Sequence, residues 1–150
     1  MSSSIQQVPI SLTTVRPASQ PSRVLSTPTA ESAVAAEHFA RRLSFETDCA
    51  DVYSAFASDR VDFTLLDVRN SKAYAGGHIA GAINLPVLNI TESRLTEFPA
   101  DTVFVVYCAG PHCNGANKAA LRIAQLGRPV KEMIGGVTGW LDEGFTLTTQ

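Results

Sequence analysis

The chain has 150 residues, 45% of them hydrophobic and 17% charged, with a net charge of -2 at pH 7. Such a length suits one domain that buries roughly 68–70% of the surface its unfolded form exposes, so neither a metal nor a disulfide is needed to fold it. The slight acidic excess argues against a nucleic-acid partner, and no apolar run approaches the ~18–20 residues of a membrane span. Three scattered cysteines do not make a secreted disulfide framework. The expectation is a soluble, cytoplasmic protein with at least one functional thiol.

Residues 1–29 are rich in Ser, Thr, Pro and Gln and read as a flexible tail, with the folded domain over residues 30–150. Arg16 and Arg23, with no acidic residue before Glu31, faintly suggest a transit peptide; the plain tail is preferred. Thr27-Pro28 announces a helix with Ala36, Phe39, Ala40 and Leu43 on one apolar face and Arg41 and Arg42 solvated beside it. Ser44 to Glu46 reads as a short edge strand. Asp48 caps a second helix whose stripe is Cys49, Val52, Tyr53 and Phe56. Buried strands are predicted at Phe63 to Val68, Ile83 to Leu85 and Thr102 to Tyr107, and a last strand at Pro129 to Met133. Helices are predicted at Ala116 to Leu126, stopped by Gly127, and at Val137 to Glu143. Strands alternating with helices imply an α/β fold, a parallel sheet covered on both faces.

The chemistry is concentrated in Val105 to Lys118. A buried strand ends at Cys108, a loop with Gly110 and Pro111 follows, and an alanine-rich helix begins. Ligands of open α/β sheets bind beyond the carboxyl ends of the strands, where Cys108 lies. Loop amides and a helix amino end facing the sulfur favour an anion, which suits a nucleophilic thiolate. A small buried hydrophobe at a strand end is the competing reading.

Three stretches then carry a resemblance. Leu65-Leu66-Asp67-Val68-Arg69, Tyr74 and Gly77-His78-Ile79-Ala80-Gly81-Ala82-Ile83-Asn84-Leu85-Pro86 form one, Tyr107-Cys108 the second, and Gly135-Gly136-Val137-Thr138-Gly139-Trp140 the third. In this order and spacing the chain resembles a single-domain rhodanese. That family's fold is a central, mainly parallel five-stranded sheet with helices on both faces. The resemblance implies a sulfurtransferase of the thiosulfate:cyanide class, with Cys108 as the persulfide-carrying nucleophile. The loop Ala109, Gly110, Pro111, His112, Cys113, Asn114 and Gly115 would cradle the persulfide. The Cys108 thiolate takes sulfur from a donor (thiosulfate, polysulfide or a protein persulfide) and yields it to a thiol, a cyanide-like acceptor or a protein acceptor. No metal or other cofactor is implied.

The loop also departs from the family. It carries no arginine or lysine to bind dianionic thiosulfate; His112 and, a turn later, Lys118 are its only side chains of positive potential. It runs about two residues longer than the common form, judged from the helix start. Related phosphatases need an arginine six positions after the cysteine, and Asn114 stands there. Cys113 is either a resolving thiol for Cys108 or a loop residue that only packs. With His112 between them, the cysteines give at most three metal ligands and no clear fourth. His78 reads as fixing a turn, Cys49 and Trp140 as core, and Asp67 with Arg69 as a supporting ion pair near the active edge. The alternative function is a non-catalytic binding or redox-sensing module.

Overall fold

The computed structural model describes residues 19–150. Residues 1–18, which hold Arg16 and most of the expected tail, lie outside them. A 3-10 turn spans Arg23–Leu25, and residues 36–150 form one compact unit, those up to Ala35 falling in another. Helix α1 (Ser32–Phe45) buries none of its side chains. Phe39 and Leu43 are 56% and 70% exposed, so the apolar stripe expected there faces no core. The helix also runs through Phe45, which displaces the edge strand β1 to Glu46–Thr47.

Helix α2 (Cys49–Ala57) starts where expected, the Asp48 carboxylate accepting the Asp51 amide at 2.8 Å. Strand β2 (Thr64–Asp67), the short helix α3 (Ser71–Gly76) and strand β3 (Ile83–Asn84) follow. Then come α4 (Glu92–Leu95), β4 (Phe104–Tyr107), α5 (Gly115–Gln125), β5 (Val130–Met133) and α6 (Gly136–Asp142). The sheet has five strands in the order β1-β5-β4-β2-β3. Every pairing is parallel, with Asp67 of β2 beside Tyr107 of β4.

The two faces of the sheet follow from the two-residue period of its strands. Leu66, Phe104, Val106 and Cys108 point to one side, where they pack with Leu95 of α4 and Ala116, Ala119 and Ile123 of α5. Leu65, Val105 and Tyr107 point to the other, against Cys49 and Val52 of α2 and Trp140 of α6. These helices occupy both faces, which leaves the period of α1 no sheet surface to cover. Cys108 and Tyr107, adjacent in sequence, therefore lie on opposite faces at the same strand end.

Candidate active site

β4 delivers Cys108 to the carboxyl edge of the sheet, 7% exposed and packed against the first turn of α5. The chain turns at once into the loop 109–114, which the Cys113 amide tightens by donating to the Gly110 carbonyl at 3.0 Å. α5 begins at Gly115, one residue before the expected Ala116. A Cβ on Gly115 would lie 2.8 Å from the Cys108 Sγ and 3.3 Å from the Cys113 Sγ, so the missing side chain is what lets the helix start against the sulfurs. The Gly115 amide donates to the Cys113 Sγ at 3.4 Å.

The loop is clamped from the far side by the Gly-Gly-Val-Thr segment. Val137 N–H donates to the Cys108 carbonyl at 3.1 Å, and Thr138 donates to the Ala109 carbonyl through its N–H at 2.9 Å and its hydroxyl at 3.1 Å. Gly135 and Gly136 have φ of 89° and 56°, in the left-handed region. A Cβ on Gly136 would run into the Cys108 carbonyl oxygen and lie 2.8 Å from the Gly110 nitrogen. The closing motif read from the sequence is thus the strap that fixes the start of the cysteine loop. Sequence reasoning gave Gly136, Val137 and Thr138 no such role.

A cavity of about 730 Å³ opens over Cys108. Six of the expected loop residues, Ala109, Gly110, Pro111, His112, Cys113 and Asn114, line it with Cys108; Gly115 lies behind them under the sulfurs. The opposite wall comes from strand ends that the sequence reading passed over: Glu46 of β1, Glu132 and Met133 of β5, and Ile134 to Gly136. Asn117 of α5 donates its side-chain amide to the Glu132 carboxylate and holds it at the rim. His112 is exposed, and Lys118 does not line the cavity. Glu46, which is paired with the Arg42 guanidinium at 3.0 Å, and Glu132 are the charged residues of the lining, which among the described residues carries no arginine or lysine to trap a dianion. Among the described residues, no His, Cys, Asp and Glu side chains gather in threes as a metal site needs.

Cys108 and Cys113 are joined as a disulfide, with their Cα atoms 6.4 Å apart. This separation is normal for a bridge. The loop curvature thus brings the two thiols together, the condition on which a resolving role for Cys113 depends.

Asp67 and Arg69 do not reach the cavity. Arg69 grips the Asp67 carboxylate through Nε at 3.0 Å and Nη2 at 2.7 Å, and its Nη2 also donates to the Gly77 carbonyl at 2.7 Å. The Tyr107 hydroxyl donates to Asp67 at 2.8 Å and accepts the Ile79 amide at 3.1 Å. The hydrogen bonds that Arg69 donates to Asp67 push the Arg69 pKa up, and burial followed by the Asp67 charge pushes that of Tyr107 well up. The pair and Tyr107 brace the end of β4 from the face opposite Cys108. His78 fixes the neighbouring turn, with Nδ1 2.8 Å from the Tyr74 carbonyl and its ring stacked on Tyr74 at 3.6 Å. Trp140 is core, its Nε1 donating to the Thr146 carbonyl at 2.9 Å.

Cys49 is buried, its thiol 3.5 Å from the Ile134 carbonyl oxygen. Burial first, then the charges of Asp48 and Glu143, push its pKa up to about 11. Alkylation of the reduced native protein at neutral pH should therefore spare Cys49 and modify it only on unfolding, read by peptide mass. Because the folded-state pKa is raised, this group's share of stability is fully present below the unfolded value near ~8.5 and is lost as pH rises through about 11. Denaturant titrations should show stability falling across that alkaline window in wild type and falling less in Cys49→Ala.

A cysteine at a strand end, bridged to a second cysteine in its own loop, strapped by backbone hydrogen bonds and lining an open cavity at the carboxyl edge of a parallel sheet, defines a cysteine-loop α/β domain. The family profile described as Rhodanese-like domain matches residues 48–143, and the chain belongs to that family. It is 38% identical over 86 residues to the HTH-type transcriptional regulator Rv0324 of Mycobacterium tuberculosis, spanning 57% of this chain and 38% of the regulator. It is 30% identical over 90 residues to a sulfurtransferase of Allochromatium vinosum, spanning 60% of this chain and 82% of that protein. The crystal structure of the BH2092 protein from Bacillus halodurans superposes with a TM-score of 0.76 at 38% identity, covering 79% of this chain and 86% of that one.

Proposed function

We propose that the protein is a sulfurtransferase that relays sulfane sulfur through a persulfide on Cys108. The observation that carries this reading is the placement of Cys108, at a strand end under an open cavity, strapped by Val137 and Thr138 and backed by the first turn of α5. In the reduced protein the Cys108 thiolate attacks the outer sulfur of a donor and expels the donor's remainder as an anion. A nucleophilic acceptor, a thiol or cyanide, then takes the outer sulfur and restores the thiolate. The loop residues Ala109 to Gly115 hold the persulfide, and Asp67, Arg69 and Tyr107 act only by fixing the strand end.

The Glu132 carboxylate on the cavity wall, with Glu46 already paired to Arg42, favours donors of low charge density, a polysulfide or a protein persulfide, over thiosulfate. Initial rates with the reduced protein, inorganic polysulfide and cyanide should give parallel double-reciprocal lines, the mark of a covalent relay. Intersecting lines would contradict it. With thiosulfate as donor, kcat/KM should be lower than with polysulfide, and Glu132→Gln should raise it by about three- to tenfold, the effect of removing roughly 1 kcal/mol of repulsion at a wet cavity rim.

The likeness to a transcriptional regulator favours a second reading, a sensing module in which the Cys108–Cys113 pair registers oxidants or sulfur species without turnover. Repeated turnover in the rate measurement argues against it.

A further inference from the structure

The bridge between Cys108 and Cys113 is built into the loop that the proposed persulfide would occupy. The strand end and the helix start bring their Cα atoms to 6.4 Å, the Cys113 amide is bound to Gly110, and Gly115 has no Cβ to separate the sulfurs. The Gly115 amide donates to the Cys113 Sγ, which favours that sulfur as a thiolate. Both cysteines line the cavity, Cys113 half-buried and Cys108 more deeply buried. A packing residue needs none of this.

We infer that Cys113 is a resolving thiol that converts the Cys108 persulfide into free sulfide, which makes the protein a dithiol-dependent sulfide-releasing enzyme as well as a sulfur relay. The inference rests on the Cys108 persulfide reading. In the step, the Cys113 sulfur attacks the Cys108 Sγ, the bond from that Sγ to the outer sulfur breaks, and the outer sulfur leaves as hydrosulfide carrying the Cys113 proton. The outer sulfur gains two electrons and the two cysteines lose them, forming the disulfide, so no external oxidant is consumed. A small or protein dithiol then attacks the more accessible Cys113 Sγ and expels Cys108 as thiolate. The second thiol of the reductant closes its own disulfide and frees Cys113. Acceptors of high concentration compete for the persulfide before it resolves, so the balance between transfer and release is set by Cys113.

The experiment charges the fully reduced chain with inorganic polysulfide, removes the excess, and follows intact mass and free sulfide without added reductant. Wild type should lose its extra sulfur in a first-order decay independent of protein concentration. It should release one sulfide per chain and finish two hydrogens lighter than the reduced protein. Cys113→Ser and Cys113→Ala should keep the extra sulfur, with sulfide release at least about tenfold slower because an intramolecular attack has been removed, and should discharge when dithiothreitol is added. Sulfide release from both variants at the wild-type rate, or a wild-type persulfide that persists with Cys113 free, would overturn the inference while leaving the relay intact. If neither wild type nor the Cys113 variants gain sulfur on Cys108, the persulfide reading fails and the inference falls with it.

Discussion

Cys108→Ser is expected to lower sulfur transfer to cyanide by more than about a thousandfold, because a serine hydroxyl is un-ionised at neutral pH and does not form the covalent sulfur adduct. The loss belongs to the chemistry rather than the fold. Cys108 sits in an apolar cluster with Leu66, Val106 and Ala116, and its carbonyl, which the strap holds, is kept in the serine variant. Burying a hydroxyl there costs about 1–3 kcal/mol, so the reduced variant should melt only several degrees below reduced wild type. Initial rates and a thermal melt on the same reduced samples separate the two effects. A well-folded Cys108→Ser protein that turned over at a tenth of the wild-type rate or better, about one power of ten, would place the nucleophile elsewhere.

Asp67→Ala is expected to produce the largest loss of stability, about 3–5 kcal/mol, because it leaves a buried guanidinium and a buried phenol without their acceptor. Asp67 is fully buried and takes bonds from the Arg69 side chain, the Arg69 amide at 3.0 Å and the Tyr107 hydroxyl. Arg69 keeps only the Gly77 carbonyl, and its side chain is 13% exposed, too little for water to take over. In a domain of this size the loss should lower the melting temperature by about 10 °C or more. Tyr107→Phe removes one hydroxyl from the same network and should cost less, about 1–3 kcal/mol, since Asp67 keeps its pair with Arg69. Urea titrations at neutral pH measure both. A Tyr107→Phe loss equal to that of Asp67→Ala would show that the phenol, and not the ion pair, carries the brace.

The strand that leads into Cys108 was legible because Val103-Phe104-Val105-Val106-Tyr107 is an unbroken apolar and β-branched run, as a strand buried on both faces must be. The cysteine loop was legible because Gly110, Pro111 and Gly115 mark a break between that run and a helical period. β1 was misplaced because its two residues, Glu46 and Thr47, are polar and at the sheet edge, where periodicity carries no signal. The stripe of α1 misled for a different reason: a 3.6-residue period says which face can be buried, and not whether a surface remains to receive it. Tyr107 closes the predicted strand, and the sequence assigns its hydroxyl no partner. Its bond to Asp67 depends on the register that sets β2 beside β4, and a single sequence does not state a register. Glu46 and Glu132 were within reach of the same rule that found Cys108. They lie at or beside the carboxyl ends of β1 and β5, the strands that follow β4 toward that edge.

The reach of the site is also clearer in the structure than in the motifs. In the sequence the glycine pair before α6 is only part of the stretch that carries the resemblance. It is a requirement of close approach, since a side chain on Gly136 would collide with the Cys108 carbonyl. The loop, its strap and the bridge between its two cysteines therefore act as one unit, with the cavity above them bounded by carboxylates rather than by bases.

The most direct test is intact-protein mass on reduced Cys113→Ser after brief exposure to polysulfide, beside the Cys108→Ser, Cys113→Ser double variant. The account predicts a gain of one sulfur atom that cyanide removes and that the double variant does not show. A folded, reduced protein that gains no cyanide-removable sulfur, or gains it equally without Cys108, would contradict the account.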